Sequence, residues 1–106
     1  MPSESSKAIF LDRDGVINEE RGQHTWLLED FKINPGVIEA LSSLQSAGFL
    51  LIIISNQSGI ARGLYGFKEV EFLHAHLARY LGNHGIRLTE IYYCPHYPAQ
   101  SRCLCR

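Results

Sequence analysis

No cysteine precedes position 94 in this 106-residue chain, and all three fall in one short segment with His96. An odd number of cysteines crowded into one tail argues against a disulfide framework and for a metal site in a reducing compartment. Charge of one sign is lacking as well: ten Lys and Arg face eleven Asp and Glu, scattered along the chain. That balance gives no basic stripe for nucleic acid or a membrane surface, so the expected partner is a small molecule. Long hydrophobic runs are also missing. The longest, Phe49 to Ile54, is far too short to span a bilayer, and Met1 to Lys7 is polar. The expectation is therefore a cytoplasmic protein with no targeting segment. Internal repeats and low-complexity linkers are absent too. One modest domain, residues 1–106, is what this length supplies, burying only about two-thirds of the surface that its unfolded form exposes, so a bound metal would help it.

What is present reads as alternating strands and helices. Lys7 to Leu11 contains the apolar run Ala8-Ile9-Phe10-Leu11, which predicts a short strand buried on both faces and ending in Asp12 and Asp14. A long loop from Gly15 to Ile33 follows, its length pointing to function. Asn34 as cap, Pro35 at the first helical position, Val37, Leu41 and Leu44 on one face and Gly48 as stop predict an amphipathic helix. Phe49 to Ser55 predicts a second buried strand running into Ser55-Asn56-Gln57-Ser58-Gly59. Helical spacing of Val70, Leu73, Leu77 and Leu81 predicts a helix over about Phe67 to His84, with Gly85 as stop. A third strand, roughly Thr89 to Tyr93, delivers the chain to the cysteines. This succession implies a parallel sheet with right-handed crossovers and a ligand site outside the carboxyl ends of the strands. All the polar clusters fall there.

Each cluster has a plain reading beside a chemical one. Two aspartates flanking Arg13 fit an ordinary polar turn, and Ser55 to Gly63 fits a hydroxyl-rich turn with glycines for backbone freedom. Cys94-Pro95-His96, then six residues, then Cys103-Leu104-Cys105 offers three sulfurs and one imidazole within twelve residues. Against unliganded thiols near a chain end, that is a tetrahedral ligand set for structural zinc, which would order the loop 94–105 and add its binding free energy to folding. The histidines at 74, 76 and 84 are expected to be solvated or partly packed, and Trp26 and Tyr65 to be packing residues. His24 sits in the long loop after the first aspartates, where a substrate contact is open but has no support in the sequence.

Taken whole, Phe10-Leu11-Asp12-Arg13-Asp14-Gly15-Val16-Ile17-Asn18 resembles the first signature of the haloacid dehalogenase superfamily, and Ser55-Asn56-Gln57-Ser58-Gly59-Ile60-Ala61-Arg62-Gly63 resembles its second. Cys-Pro-His followed by Cys-x-Cys-Arg is similar to the zinc loop of its heptose-bisphosphate and histidinol-phosphate phosphatases. The resemblance implies an α/β, Rossmann-like fold, a parallel sheet with flanking helices, here incomplete at three strands and two helices plus the zinc loop. It also implies roles. Asp12 would attack phosphorus and Asp14 would act as general acid and base, as positioned carboxyls can. The Asp12 carboxylate and the Asp14 main-chain carbonyl would hold Mg2+, and Ser55 and the Asn56 amide would hold the phosphoryl group. Cys94, His96, Cys103 and Cys105 would hold Zn2+, and Arg106 would contact a substrate phosphate. Arg62 either contacts substrate or pairs with an acid of its loop.

The expected activity is hydrolysis of a phosphorylated metabolite, a heptose 1,7-bisphosphate 7-phosphatase reaction through an aspartyl-phosphate. The alternative is histidinol phosphate, because the six-residue spacing between His96 and Cys103 resembles the histidinol enzymes. The family's lysine, its later acidic strand and its two final strands have no counterpart up to Arg106. The expectation is a partial form of a longer enzyme, weakly active or inactive, that self-associates through an apolar first-strand edge. The competing class is a zinc-ordered, noncatalytic interaction module.

Overall fold

The computed structural model describes residues 7–94. Strand β1 (Lys7–Asp12) leads through a long loop holding one 3-10 turn (Leu28–Asp30) into helix α1 (Val37–Ser46). Strand β2 (Phe49–Asn56), helix α2 (Phe67–Gly82) and strand β3 (Leu88–Cys94) follow. The described strands form one parallel three-stranded sheet in the order β1-β2-β3, as the alternating pattern predicts.

Helix α1 begins later than expected. Its N-cap is Gly36, in the left-handed region at φ 84°, and not Asn34. Asn34 has other partners: its N–H donates to the Ile17 carbonyl and its Nδ2 to the carbonyls of Val16 and Asn18, which ties the long loop to the start of the helix. A side chain committed to tertiary bonds is lost to capping. The predicted stops do hold. Gly48 and Gly85 take φ of 96° and 77°, a region that glycine enters without steric cost. At the start of α2, the Glu69 carboxylate reaches back to accept from the Gly66 N–H, half of a capping box.

The expectation of strands buried on both faces is corrected. Leu51 and Ile53 of β2 are buried and Ile9 and Leu11 of β1 half-buried, whereas Phe10 is 60% exposed and Leu50, Ile54 and Tyr92 are also exposed. Register explains the pattern. Phe10 pairs with Ile52 and Asp12 with Ile54, so alternate residues share a face, and one face alone packs against the helices. Leu51 and Ile53 join Val37 and Leu41 of α1, Leu73, Leu77 and Leu81 of α2, Ile17, Phe31 and Ile86 in a single core. Each fully buried leucine contributes about 1.5–3 kcal/mol by removal from water. Gln45 of α1 fastens the far side, donating from Nε2 to the Gly85 carbonyl and accepting from the Arg87 N–H.

Candidate active site

The sheet brings the two signatures together because β1 and β2 are parallel neighbours, with Asp12 in register with Ile54 and the Arg13 N–H donating to the Ile54 carbonyl. Asp12, Asp14, Ser55 and Asn56 therefore emerge at the same end of adjacent strands. The Gln57 N–H donates to the Cys94 carbonyl at 2.7 Å, which fixes the end of β3 beside the second signature.

The two aspartates are in different states. Asp12 is exposed, and its carboxylate makes no hydrogen bond or ion pair among the described residues. Asp14 is held from several sides: Oδ1 accepts from Arg13 Nη2 at 2.8 Å, Asn18 Nδ2 at 3.0 Å and Arg13 Nε at 3.2 Å, while Oδ2 has a long contact, 3.4 Å, from Gln57 Nε2. Asn18 serves this geometry at a cost. Its nitrogen must face the carboxylate, which leaves its buried Oδ1 without a partner, a defect worth about 1–3 kcal/mol. An unengaged strand-end carboxylate fits magnesium, which takes one or two carboxylates and keeps the rest of its shell for water and phosphate oxygens. Among the described residues no cluster of three or more His, Cys, Asp or Glu could hold a metal.

Sequence reasoning missed the hub of the site. Arg13 is 1% exposed and links both halves of the molecule: Nη2 donates to the Thr25 carbonyl, Nη1 lies 3.1 Å from His74 Nε2, and the guanidinium stands over the Phe31 ring at 5.4 Å. His74, expected to be solvated or partly packed, is buried inside α2. Burial first, and the adjacent Arg13 second, hold its pKa down to about 4, so the ring is neutral and its Nε2 lone pair accepts from the guanidinium.

Ser55 is buried, and its Oγ is 2.5 Å from Gln57 Nε2. Gln57 Oε1 in turn accepts from the Tyr65 hydroxyl at 2.6 Å. Tyr65 therefore does more than pack. It is buried, Trp26 stacks on it at 5.6 Å with 17° between planes, and His24 meets its edge at 5.7 Å. Burial above all raises the pKa of its phenol, with Arg13 opposing. Arg62 is exposed on the turn after the second signature.

Of the expected zinc ligands, Cys94 alone falls within the described residues; His96, Cys103 and Cys105 lie outside them, as does Arg106. Cys94 is buried, 3% exposed, at the end of β3.

No family model matches the chain. Among curated proteins, D-glycero-beta-D-manno-heptose-1,7-bisphosphate 7-phosphatase of Haemophilus ducreyi is 42% identical over 106 aligned positions, covering 94% of this chain and 58% of that protein. The enzyme of the same name from Escherichia coli K12 is 41% identical over 99 positions, covering 93% and 51%. A crystal structure of D,D-heptose 1,7-bisphosphate phosphatase from B. bronchiseptica, complexed with magnesium and phosphate, superposes with a TM-score of 0.86 at 34% identity, covering 94% of this chain and 55% of that one. The chain thus spans somewhat more than half the length of the relatives it matches. Parallel sheet, helices and strand-end signatures define a phosphatase-type fold of the haloacid dehalogenase superfamily, here partial. Over most of its length the chain is similar to part of these heptose-bisphosphate phosphatases.

Proposed function

We propose that the protein to which this chain corresponds hydrolyses the 7-phosphate of D-glycero-D-manno-heptose 1,7-bisphosphate. One observation carries the reading: an exposed Asp12 carboxylate, without a hydrogen bond or ion pair among the described residues, stands at the end of β1 beside the Ser55-Asn56 turn at the end of β2. A carboxylate free of hydrogen bonds keeps its lone pairs for attack. The heptose phosphatases named above support that substrate over histidinol phosphate.

In the proposed reaction Asp12 Oδ attacks phosphorus, the P–O bond to the sugar breaks, and the leaving oxygen takes a proton from Asp14. Asp14 then removes a proton from water, which attacks the aspartyl-phosphate, restores Asp12 and releases inorganic phosphate. Asp14 suits this work because Oδ1 is fixed by its three contacts while Oδ2 is only weakly engaged. Ser55 and the Asn56 N–H would donate to phosphoryl oxygens as charge develops there. Magnesium, when bound, would neutralise phosphate charge and bring it within reach of the anionic nucleophile.

The Zn2+ site of Cys94, His96, Cys103 and Cys105 belongs to this proposal, as do a substrate-phosphate contact by Arg106, substrate contact by Arg62, and a cytoplasmic location in which the thiols stay reduced. Among the described residues no helix is long and apolar enough to cross a membrane. Self-association through the bare sheet face and the β1 edge belongs to it too.

The test is phosphate release from heptose 1,7-bisphosphate and from histidinol phosphate, with and without magnesium, by this chain and by one extended to the full length of its relatives. Magnesium-dependent release from the heptose ester, abolished by Asp12→Asn, is the expected result. Release from histidinol phosphate alone would overturn the substrate, and no release from either chain would overturn the activity.

A further inference from the structure

Gln57 is buried at 1% exposure, and the hydrolysis scheme gives it no task. Its carboxamide nonetheless joins three polar groups of the site. Nε2 stands 2.5 Å from Ser55 Oγ and 3.4 Å from Asp14 Oδ2, and Oε1 lies 2.6 Å from the Tyr65 hydroxyl. The nitrogen edge of Gln57 faces Ser55 and the Asp14 carboxylate, and its oxygen edge accepts from the Tyr65 O–H. Ser55 Oγ, receiving a hydrogen from Nε2, has its own O–H directed away from Gln57.

Tyr65 is fixed as firmly as the amide it orients. A Cβ added at Gly59 would stand 2.2 Å from Tyr65 Cε1, so the ring lies against a backbone that has room for it only because residue 59 is glycine. Trp26, from the long loop after β1, stacks on the ring. The phenol cannot leave Gln57 without breaking this packing.

We infer that Gln57, locked by the Tyr65 hydroxyl, is a positioning residue that turns the Ser55 hydroxyl hydrogen outward, toward a phosphoryl oxygen, and braces the Oδ2 edge of Asp14. This rests on the phosphatase reading for the identity of the oxygen that receives the hydrogen. Preorganisation is its physical content: a donor already aimed needs no reorientation when charge arrives. Tyr65 enters the site through this one hydrogen bond.

The test uses the 106-residue chain, and one extended to the full length of its relatives, with inorganic phosphate and magnesium chloride, titrated by calorimetry beside melting curves. Tyr65→Phe, which keeps the ring and removes only the O–H, is expected to weaken phosphate binding about 3–10-fold, the worth of one hydrogen bond, with little change in melting temperature. Gln57→Leu is expected to weaken it at least as much, and the double variant no more than Gln57→Leu alone. Unchanged affinity in Tyr65→Phe, or losses that multiply in the double variant, would overturn the relay. A second readout needs no phosphate: the Gln57 side-chain amide resonances, identified by their loss in Gln57→Leu, should shift in both Tyr65→Phe and Ser55→Ala. If they do not move, the relay is overturned; if they move while neither this chain nor one extended to the full length of its relatives binds phosphate, the relay stands and the phosphatase reading fails.

Discussion

Arg13 Nη1 and His74 Nε2 stand 3.1 Å apart, a buried cation against a buried ring that remains neutral. The pair joins the loop after β1 to the middle of α2, and its balance depends on pH. His74 titrates at about 4 when folded against an ordinary 6.5, so between those values the unfolded chain binds a proton that the folded one refuses. Stability from this residue is complete above about 6.5, falls as pH drops toward 4, and amounts to at most about 3 kcal/mol. His74→Gln keeps an acceptor for Arg13 but does not titrate. Thermal melts from pH 7 to 4.5 should show the unaltered chain losing stability more steeply than the variant, and parallel curves would contradict the assignment.

Arg13→Lys should cost roughly 1–3 kcal/mol although the charge is kept. A lysine ammonium cannot reach Asp14, Thr25 and His74 together as the guanidinium fork does. Urea unfolding measures the loss, and a midpoint equal to that of the unaltered chain would show that the fork is dispensable.

Gly59→Ala should destabilise by about 1–3 kcal/mol, because the new methyl would overlap the buried Tyr65 ring. Combining it with Tyr65→Ala should recover little further loss beyond that of Tyr65→Ala alone, since the clash then has no partner. Melting curves of the two singles and the double decide, and strict additivity would contradict the contact.

Reduced chain is expected to bind one zinc, and Cys94→Ser to lose it. Metal analysis after reduction and dialysis, with free thiols counted in parallel, measures the zinc. Chelation should lower the melting temperature of the reduced protein. A reduced chain that binds no zinc would remove the metal from the proposal.

Phe10→Glu tests the bare sheet face. Phe10 is 60% exposed on an edge strand, and a charge there should disfavour pairing of sheets or edges. Sedimentation should show association in the unaltered chain and its loss in the variant; a monomer in both would refute self-association.

The order of elements was legible in the sequence because it rests on local rules. Apolar runs at Ala8–Leu11 and Phe49–Ile54, helical spacing of Val70, Leu73, Leu77 and Leu81, and left-handed glycines at 48 and 85 each act within a few residues of chain. The strand-end positions of Asp12, Asp14, Ser55 and Asn56 followed from the same pattern, since a parallel sheet collects its carboxyl ends. What only the tertiary structure decided depends on partners far away in sequence. The composition of β1 could not say that one of its faces would stay bare, which is fixed by where the helices pack. Nor could it give Asn34 to the loop rather than the helix, Arg13 to a histidine 61 residues on, or Gln57 to Tyr65. Hydrogen bonds of this kind leave no periodic trace: each is set by burial, which removes water as a competitor and makes it costly for a buried polar group to go without a partner in the fold.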